Sequence, residues 1–81
     1  MSANGEMKEY LMDELGKRRY QMGISQAEMA SRLNISLRQY SNLENGKSLC
    51  SIETLARFLR CSGINRAEFI SGLVETITKS K

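Results

Sequence analysis

No proline and no histidine occur among the 81 residues, aspartate appears once, and there are only two cysteines. Without proline, breaks between helices must come from glycine, asparagine and serine, and no helix is kinked by a missing N–H. Without histidine the commonest general base at neutral pH is gone. With Asp13 as the single aspartate, no pairing of nucleophile and base is visible, nor any glycine-rich phosphate loop, so an enzyme is not expected. Cys50 and Cys61 have no histidines or further cysteines to join them, which excludes a tetrahedral zinc site and leaves no metal or cofactor to expect. Their spacing would permit a disulfide. Secretion is not indicated, because Met1-Ser-Ala-Asn-Gly-Glu6 lacks the basic and apolar regions of a signal peptide. No apolar run approaches the ~18 residues of a membrane span. Both cysteines are therefore expected as reduced thiols in a cytoplasmic protein, Cys50 in a loop and Cys61 partly buried, with a redox switch as the lesser alternative.

A chain of 81 residues is expected to form one domain with one modest core and no separate ligand-sensing unit. Its formal charge is only +3, but the distribution is uneven. Glu6, Glu9, Asp13 and Glu14 against Lys8 give residues 1–16 a net −3. Residues 17–66 hold Lys17, Arg18, Arg19, Arg32, Arg38, Lys47, Arg57, Arg60 and Arg66 against Glu28, Glu44 and Glu53, a net +6. A basic middle suits a phosphate-facing surface, although any single one of these side chains is better explained by a solvated helix face.

The most informative stretch runs from Ser25 to Gly46. Ser25 with Glu28 three residues on is a capping-box pattern that starts a helix at Gln26. Ala27, Met29, Ala30 and Leu33 supply its apolar positions, with 26, 29, 30 and 33 on one side. Ala30 stands where a second helix must approach closely, so Ala30→Leu is expected to destabilise by roughly 1–3 kcal/mol through overpacking. Asn34 tolerates the left-handed conformation of a sharp turn, and Ile35 plugs the gap. Ser36 and Gln39 repeat the capping box for a helix from about Leu37 to Glu44, which ends at Asn45-Gly46. Tyr40 and Leu43 then face inward, leaving Arg38, Ser41 and Asn42, with Leu37 near the start, on the outer side. Two short helices joined by a tight turn are the layout of a helix-turn-helix.

Three further helices frame this unit. The first is expected over about residues 6–21, with Leu11, Leu15, Arg18 or Arg19 and Met22 on one side and a stop at Gly23; Gly16 in its interior weakens it by roughly 1 kcal/mol. Met7, Met12, Met22 and Met29 read as core filler. The fourth begins after Ser51, ends by Gly63 and is expected to bury Ile52, Leu55, Ala56 and Leu59, with Phe58 off that stripe. The fifth opens at Asn65-Arg-Ala-Glu68 and places Phe69, Ile70, Leu73, Val74 and Ile77 within about 140° of arc. That stripe either closes the core of the same chain or forms a dimer seam through Phe69, Leu73 and Ile77, and both hold if the helix is shared.

The motifs Ser25-Gln26-Ala27-Glu28-Met29-Ala30, Leu43-Glu44-Asn45-Gly46-Lys47 and Ser51-Ile52-Glu53-Thr54-Leu55, in this order and spacing, resemble the lambda-repressor-like (XRE) helix-turn-helix regulators over about residues 12–64. The resemblance implies an all-α, compact five-helix fold. It also implies base-edge contacts from Ser36, Leu37, Arg38, Ser41 and Asn42, phosphate contacts from Gln26 and Asn45, and an ion pair between Arg19 and Glu44. Lys47 and Lys17 are further candidates for phosphate. Three positions depart from the family pattern: Asn34 stands where glycine is commoner, Tyr40 where a β-branched aliphatic is usual, and Cys50 where proline often sits. The resulting expectation is a regulator that reads a near-palindrome in double-stranded DNA as a homodimer, with no membrane association. An antitoxin or protein-interaction adaptor of the same fold is the alternative, and the polar, basic outer face of the second motif helix argues against a pure adaptor.

Overall fold

The structure, a computed structural model, describes residues 3–79. Five helices follow one another: α1 (Ala3–Met22), α2 (Gln26–Leu33), α3 (Leu37–Glu44), α4 (Ile52–Cys61) and α5 (Arg66–Lys79). Among the described residues there is no strand. The first helix starts three residues before the expected Glu6, which then lies in its first turn and complements the positive end of the helix. Helix α3 packs on α1 and α2, α4 packs on α2, and α5 returns to lie against α1.

Leu11 and Leu15 of α1, Met29, Ala30 and Leu33 of α2, and Tyr40 and Leu43 of α3 form one half of the core. Phe58, Ile64 and Phe69 form the other. The rings of Phe58 and Phe69 meet edge-on with centroids 6.1 Å apart, and Tyr10 tilts against Phe69 at 5.5 Å. The Tyr10 hydroxyl also donates to the Phe69 carbonyl at 3.0 Å, tying α1 to α5. Ala30, 2% exposed, sits in the crowded position expected of it. Ala27 faces solvent instead, because α2 presents only Met29, Ala30 and Leu33 to the core.

Helix α4 contradicts the sequence pattern. Its buried residues are Thr54 and Phe58, while Ile52 is 83% exposed and Ala56 lies at the surface. Leu55 and Leu59 sit half-buried at the boundary. At 100° per residue, the buried direction lies roughly 130° from the centre of the Ile52-Leu55-Ala56-Leu59 stripe. The helix turns this way because a phenyl ring removes more apolar area from water than Ile52 and Ala56 offer, and because the Phe69 ring awaits it. Thr54 joins the buried face with its hydroxyl satisfied by Ser51 Oγ at 3.1 Å.

In α5 the expected stripe is split. Phe69 is 2% exposed and belongs to the core, which corrects its assignment to a dimer seam: a ring enclosed by Tyr10 and Phe58 has no surface to offer a partner. Leu73 and Ile77 are half-buried, and Ile70 and Val74 are 44% and 52% exposed.

Two glycines inside helices respond oppositely to a methyl group. A Cβ at Gly16 would make ordinary contact with Glu44 Cγ at 3.7 Å, so Gly16→Ala should gain the helix propensity of alanine, about 1 kcal/mol. A Cβ at Gly72 would overlap the Tyr10 hydroxyl and lie 3.1 Å from Tyr10 Cζ, and that ring is anchored to Phe69. Gly72→Ala should lose roughly 1–3 kcal/mol to overpacking, which outweighs the propensity gain. Thermal unfolding should therefore shift up by roughly 4–8 °C for Gly16→Ala and fail to rise for Gly72→Ala.

Candidate nucleic-acid interface

The geometry of α2 and α3 begins with their caps. Ser25 Oγ accepts from the Glu28 N–H at 3.1 Å, but the Glu28 carboxylate turns to Arg32 at 3.1 Å, so only half of the expected box forms. The i,i+4 pairing with arginine competes for that carboxylate. At α3 the box is complete: Ser36 Oγ accepts from the Gln39 N–H at 3.0 Å, and Gln39 Oε1 accepts from the Ser36 N–H at 2.8 Å. Between them Asn34 adopts φ 59° and ψ 43°, the left-handed conformation that asparagine tolerates better than most residues. The Ile35 N–H returns to the Ala30 carbonyl at 3.0 Å, and its side chain packs against the core. Past α3, Gly46 takes φ 72° and the Lys47 N–H reaches the Asn42 carbonyl at 2.8 Å.

One carboxylate fixes the three helices relative to each other. Glu44 Oε2 accepts from Arg19 Nε at 2.8 Å and from the Tyr40 hydroxyl at 2.5 Å; Oε1 accepts from Arg19 Nη2 at 3.0 Å and from Gln26 Nε2 at 2.9 Å. The Arg19–Glu44 pair expected from the resemblance is thus a bidentate, partly buried one, and Arg19 Nη1 also caps the Ile24 carbonyl at 3.0 Å. Arg19 above all, then the Tyr40 and Gln26 donors, hold the Glu44 carboxyl down at about 2, against the opposing effect of burial. Burial, followed by the hydrogen bond to Glu44, pushes the Tyr40 phenol well above its ordinary range and keeps it a neutral donor. Tyr40 therefore fills the core and also satisfies the carboxylate, which the aliphatic usual at this position could not do.

The outer face of α3 carries Leu37, 51% exposed, with Arg38 exposed beside it and no carboxylate within 4 Å of Arg38 among the described residues. Ser41 and Asn42 are half-buried on the same helix, and Ser41 Oγ accepts from Asn45 Nδ2 at 3.3 Å. Asn42 also lines a groove of about 290 Å³ shared with Gln39, Ser48, Leu49, Cys50 and Thr54. Burial raises the Cys50 and Cys61 thiols above their ordinary pKa, which keeps them protonated and weakly nucleophilic.

Gln26 at the start of α2 and Asn45 and Lys47 beyond the end of α3 flank this surface. Lys17 does not join them: it pairs with Glu14 at 3.2 Å and lines a cleft with Ile64, Glu68 and Phe69 on the α5 side of α1. Lys8, which lies inside an acidic segment of the sequence, shares a surface depression with Asn45 and Gly46 at the end of α3. The signal was present in the spacing of residues 8, 12, 16 and 19, which puts Lys8 on the face of α1 that carries Arg19 to Glu44.

The depressed pKa of Glu44 has a defined consequence. Because the folded value lies below the ordinary 4.5, the stabilisation is complete above that pH and is lost as pH falls from about 4.5 towards about 2. Glu44→Gln should cost roughly 3 kcal/mol at neutral pH, by leaving Arg19 without its counter-charge. Near the bottom of that window wild type and variant should converge. Urea unfolding across this pH range checks it; a constant gap between the two proteins would remove the carboxylate from its assigned role.

Residues 15–69 match the profile of the helix-turn-helix family. Comparison with curated proteins and with solved structures returns no match. No helix among the described residues is long and apolar enough to cross a membrane. The match takes in α2, α3 and their turn whole, together with the Arg19 and Glu44 that brace them, and covers most of the chain. With five helices in this order and the capped α2–α3 unit at their centre, the chain belongs to the lambda-repressor-like (XRE) branch of the helix-turn-helix family of DNA-binding transcription regulators.

Proposed function

We propose that the protein acts as a single cytoplasmic domain that binds double-stranded DNA as a homodimer and represses transcription from a near-palindromic operator. The observation that carries this reading is the outer face of α3, where an uncommitted Arg38 and an exposed Leu37 follow a fully capped helix start. A two-fold axis would set two such helices in successive major grooves about 34–36 Å apart. Arg38 suits guanine O6 and N7, Asn42 suits adenine N6 and N7, and Leu37 suits a thymine methyl. Ser36 and Ser41 keep hydroxyl hydrogens to donate to bases or phosphate.

Phosphates fall to Gln26, Asn45, Lys47 and Lys8. Gln26 gives one Nε2 hydrogen to Glu44 and has the second for a phosphate oxygen, so its amide is oriented before DNA arrives. The seam of the dimer is assigned to the outer side of α5, through Leu73, Ile77 and the exposed Val74.

Substitution separates the two roles. Arg38→Ala and Asn42→Ala should each relax base preference at single positions of a half-site by about 1–3 kcal/mol. Gln26→Ala should weaken binding to all sequences alike. Selection of bound sites from random duplexes, followed by titration, reads both effects, and an altered base preference in Gln26→Ala would reverse the assignment.

Charge gives an independent measure. With Lys47 and Lys8 as the cationic phosphate contacts, a dimer neutralises about four phosphates, and log affinity should fall against log salt with a slope near −4. Absence of binding to any duplex at low salt would reject this function.

A further inference from the structure

The misoriented stripe of α4 leaves an apolar surface on the outside of the molecule. Ile52, 83% exposed, and Ala56 face solvent on α4, with Leu59 half-buried beside them. Where α4 meets the start of α5, Ala56, Leu59, Arg60 and Arg66 enclose a cleft of about 280 Å³. Arg66, at the start of α5, forms the wall of the cleft that faces α4. Exposed apolar side chains on the α4 face beside such a cleft mark a site of interaction.

Charge identifies the occupant. Arg60 and Arg66 are exposed, and neither has a carboxylate within 4 Å among the described residues. A two-fold contact of the cleft with itself would bring the same two arginines of each copy together, a like-charge arrangement that disfavours a second copy of this chain. Phosphate alone would leave the Ala56–Leu59 floor uncovered. The cleft also lies at the end of α4 remote from the loop that joins it to α3, away from the face proposed for DNA.

We propose that this cleft receives an acidic amphipathic helix of another protein, with one aliphatic or aromatic side chain seated on Ala56 and Leu59 and flanking carboxylates on Arg60 and Arg66. Helices commonly dock in this way, through apolar anchors at i and i+3 or i+4 spacing. The charges set specificity and association rate, and the buried anchor supplies residence time. The site is separate from the outer face of α3, so partner and DNA occupy the protein together.

The test is selection of a phage-displayed library of helical peptides, randomised over one face, against the full chain. Enriched peptides should combine an aliphatic or aromatic anchor with aspartate or glutamate within a turn of it. The Arg60→Glu/Arg66→Glu double variant should lose about tenfold or more of the affinity for such a peptide, and the peptide with lysines in place of its acids should regain it. Because both arginines are exposed, thermal unfolding of the variant should match wild type, and at about 0.15 M salt, where charges away from the DNA face are largely screened, its duplex affinity should stay close to wild type. No enrichment, enrichment of basic peptides, or undiminished binding by the double variant would overturn the proposal. So would a variant that loses duplex affinity or self-association without losing peptide binding, which would give the arginines to phosphate or to a second copy. Failure of DNA binding in wild type rejects the function proposed above and leaves this result standing.

Discussion

Four donors converge on the Glu44 carboxylate, and the relative placement of α1, α2 and α3 depends on it. A carboxylate this enclosed would carry a large desolvation cost if its oxygens were unpaired. Here each oxygen accepts two hydrogen bonds, one of them from the charged Arg19 guanidinium. Because the donors sit on three helices, no one of these helices can rotate without uncovering charge. Apolar packing among Leu15, Met29, Leu33 and Leu43 supplies the bulk of the driving force, but aliphatic contacts alone tolerate small slips that a bidentate guanidinium–carboxylate pair does not.

The parts legible in the sequence are those with a local cause. Ser36, Gln39, Asn34 and Gly46 act through the backbone within a few residues of themselves, so helix limits and the left-handed turn could be placed from their identities. The exposed stripe of α4 could not. Its orientation is decided by Phe69, a residue of the next helix, and periodicity says which residues share a face without saying what that face meets. For the same reason Phe69 read as part of a possible seam, although Tyr10, 59 positions earlier in the chain, covers it.

Charge was legible as a total and poorly as a surface. Lys17 belongs to the basic middle of the sequence but is drawn to Glu14, one helical turn away. Arg57 is likewise engaged, by Glu53 at 3.5 Å and the Leu33 carbonyl at 3.3 Å, where it satisfies the end of α2. Lys8 lies among acidic neighbours in the sequence and yet reaches the end of α3, because helical spacing carries it there. The cationic groups available to a ligand are thus fewer than the sequence total and differently placed.

The Tyr10–Phe69 clasp divides the molecule by time as well as by space. The contacts within α2 and α3 and across their turn span few residues, and such contacts form early and reclose quickly. The clasp joins residues 59 positions apart through one hydrogen bond and a tilted ring pair, and Phe58 meets the same Phe69 ring edge-on. Release of Phe69 from both Tyr10 and Phe58 frees α5 while every bond to Glu44 survives, so amide protons of α5 should exchange through a partial opening that those of α2 and α3 do not share. On this ordering α3 should open later than α5.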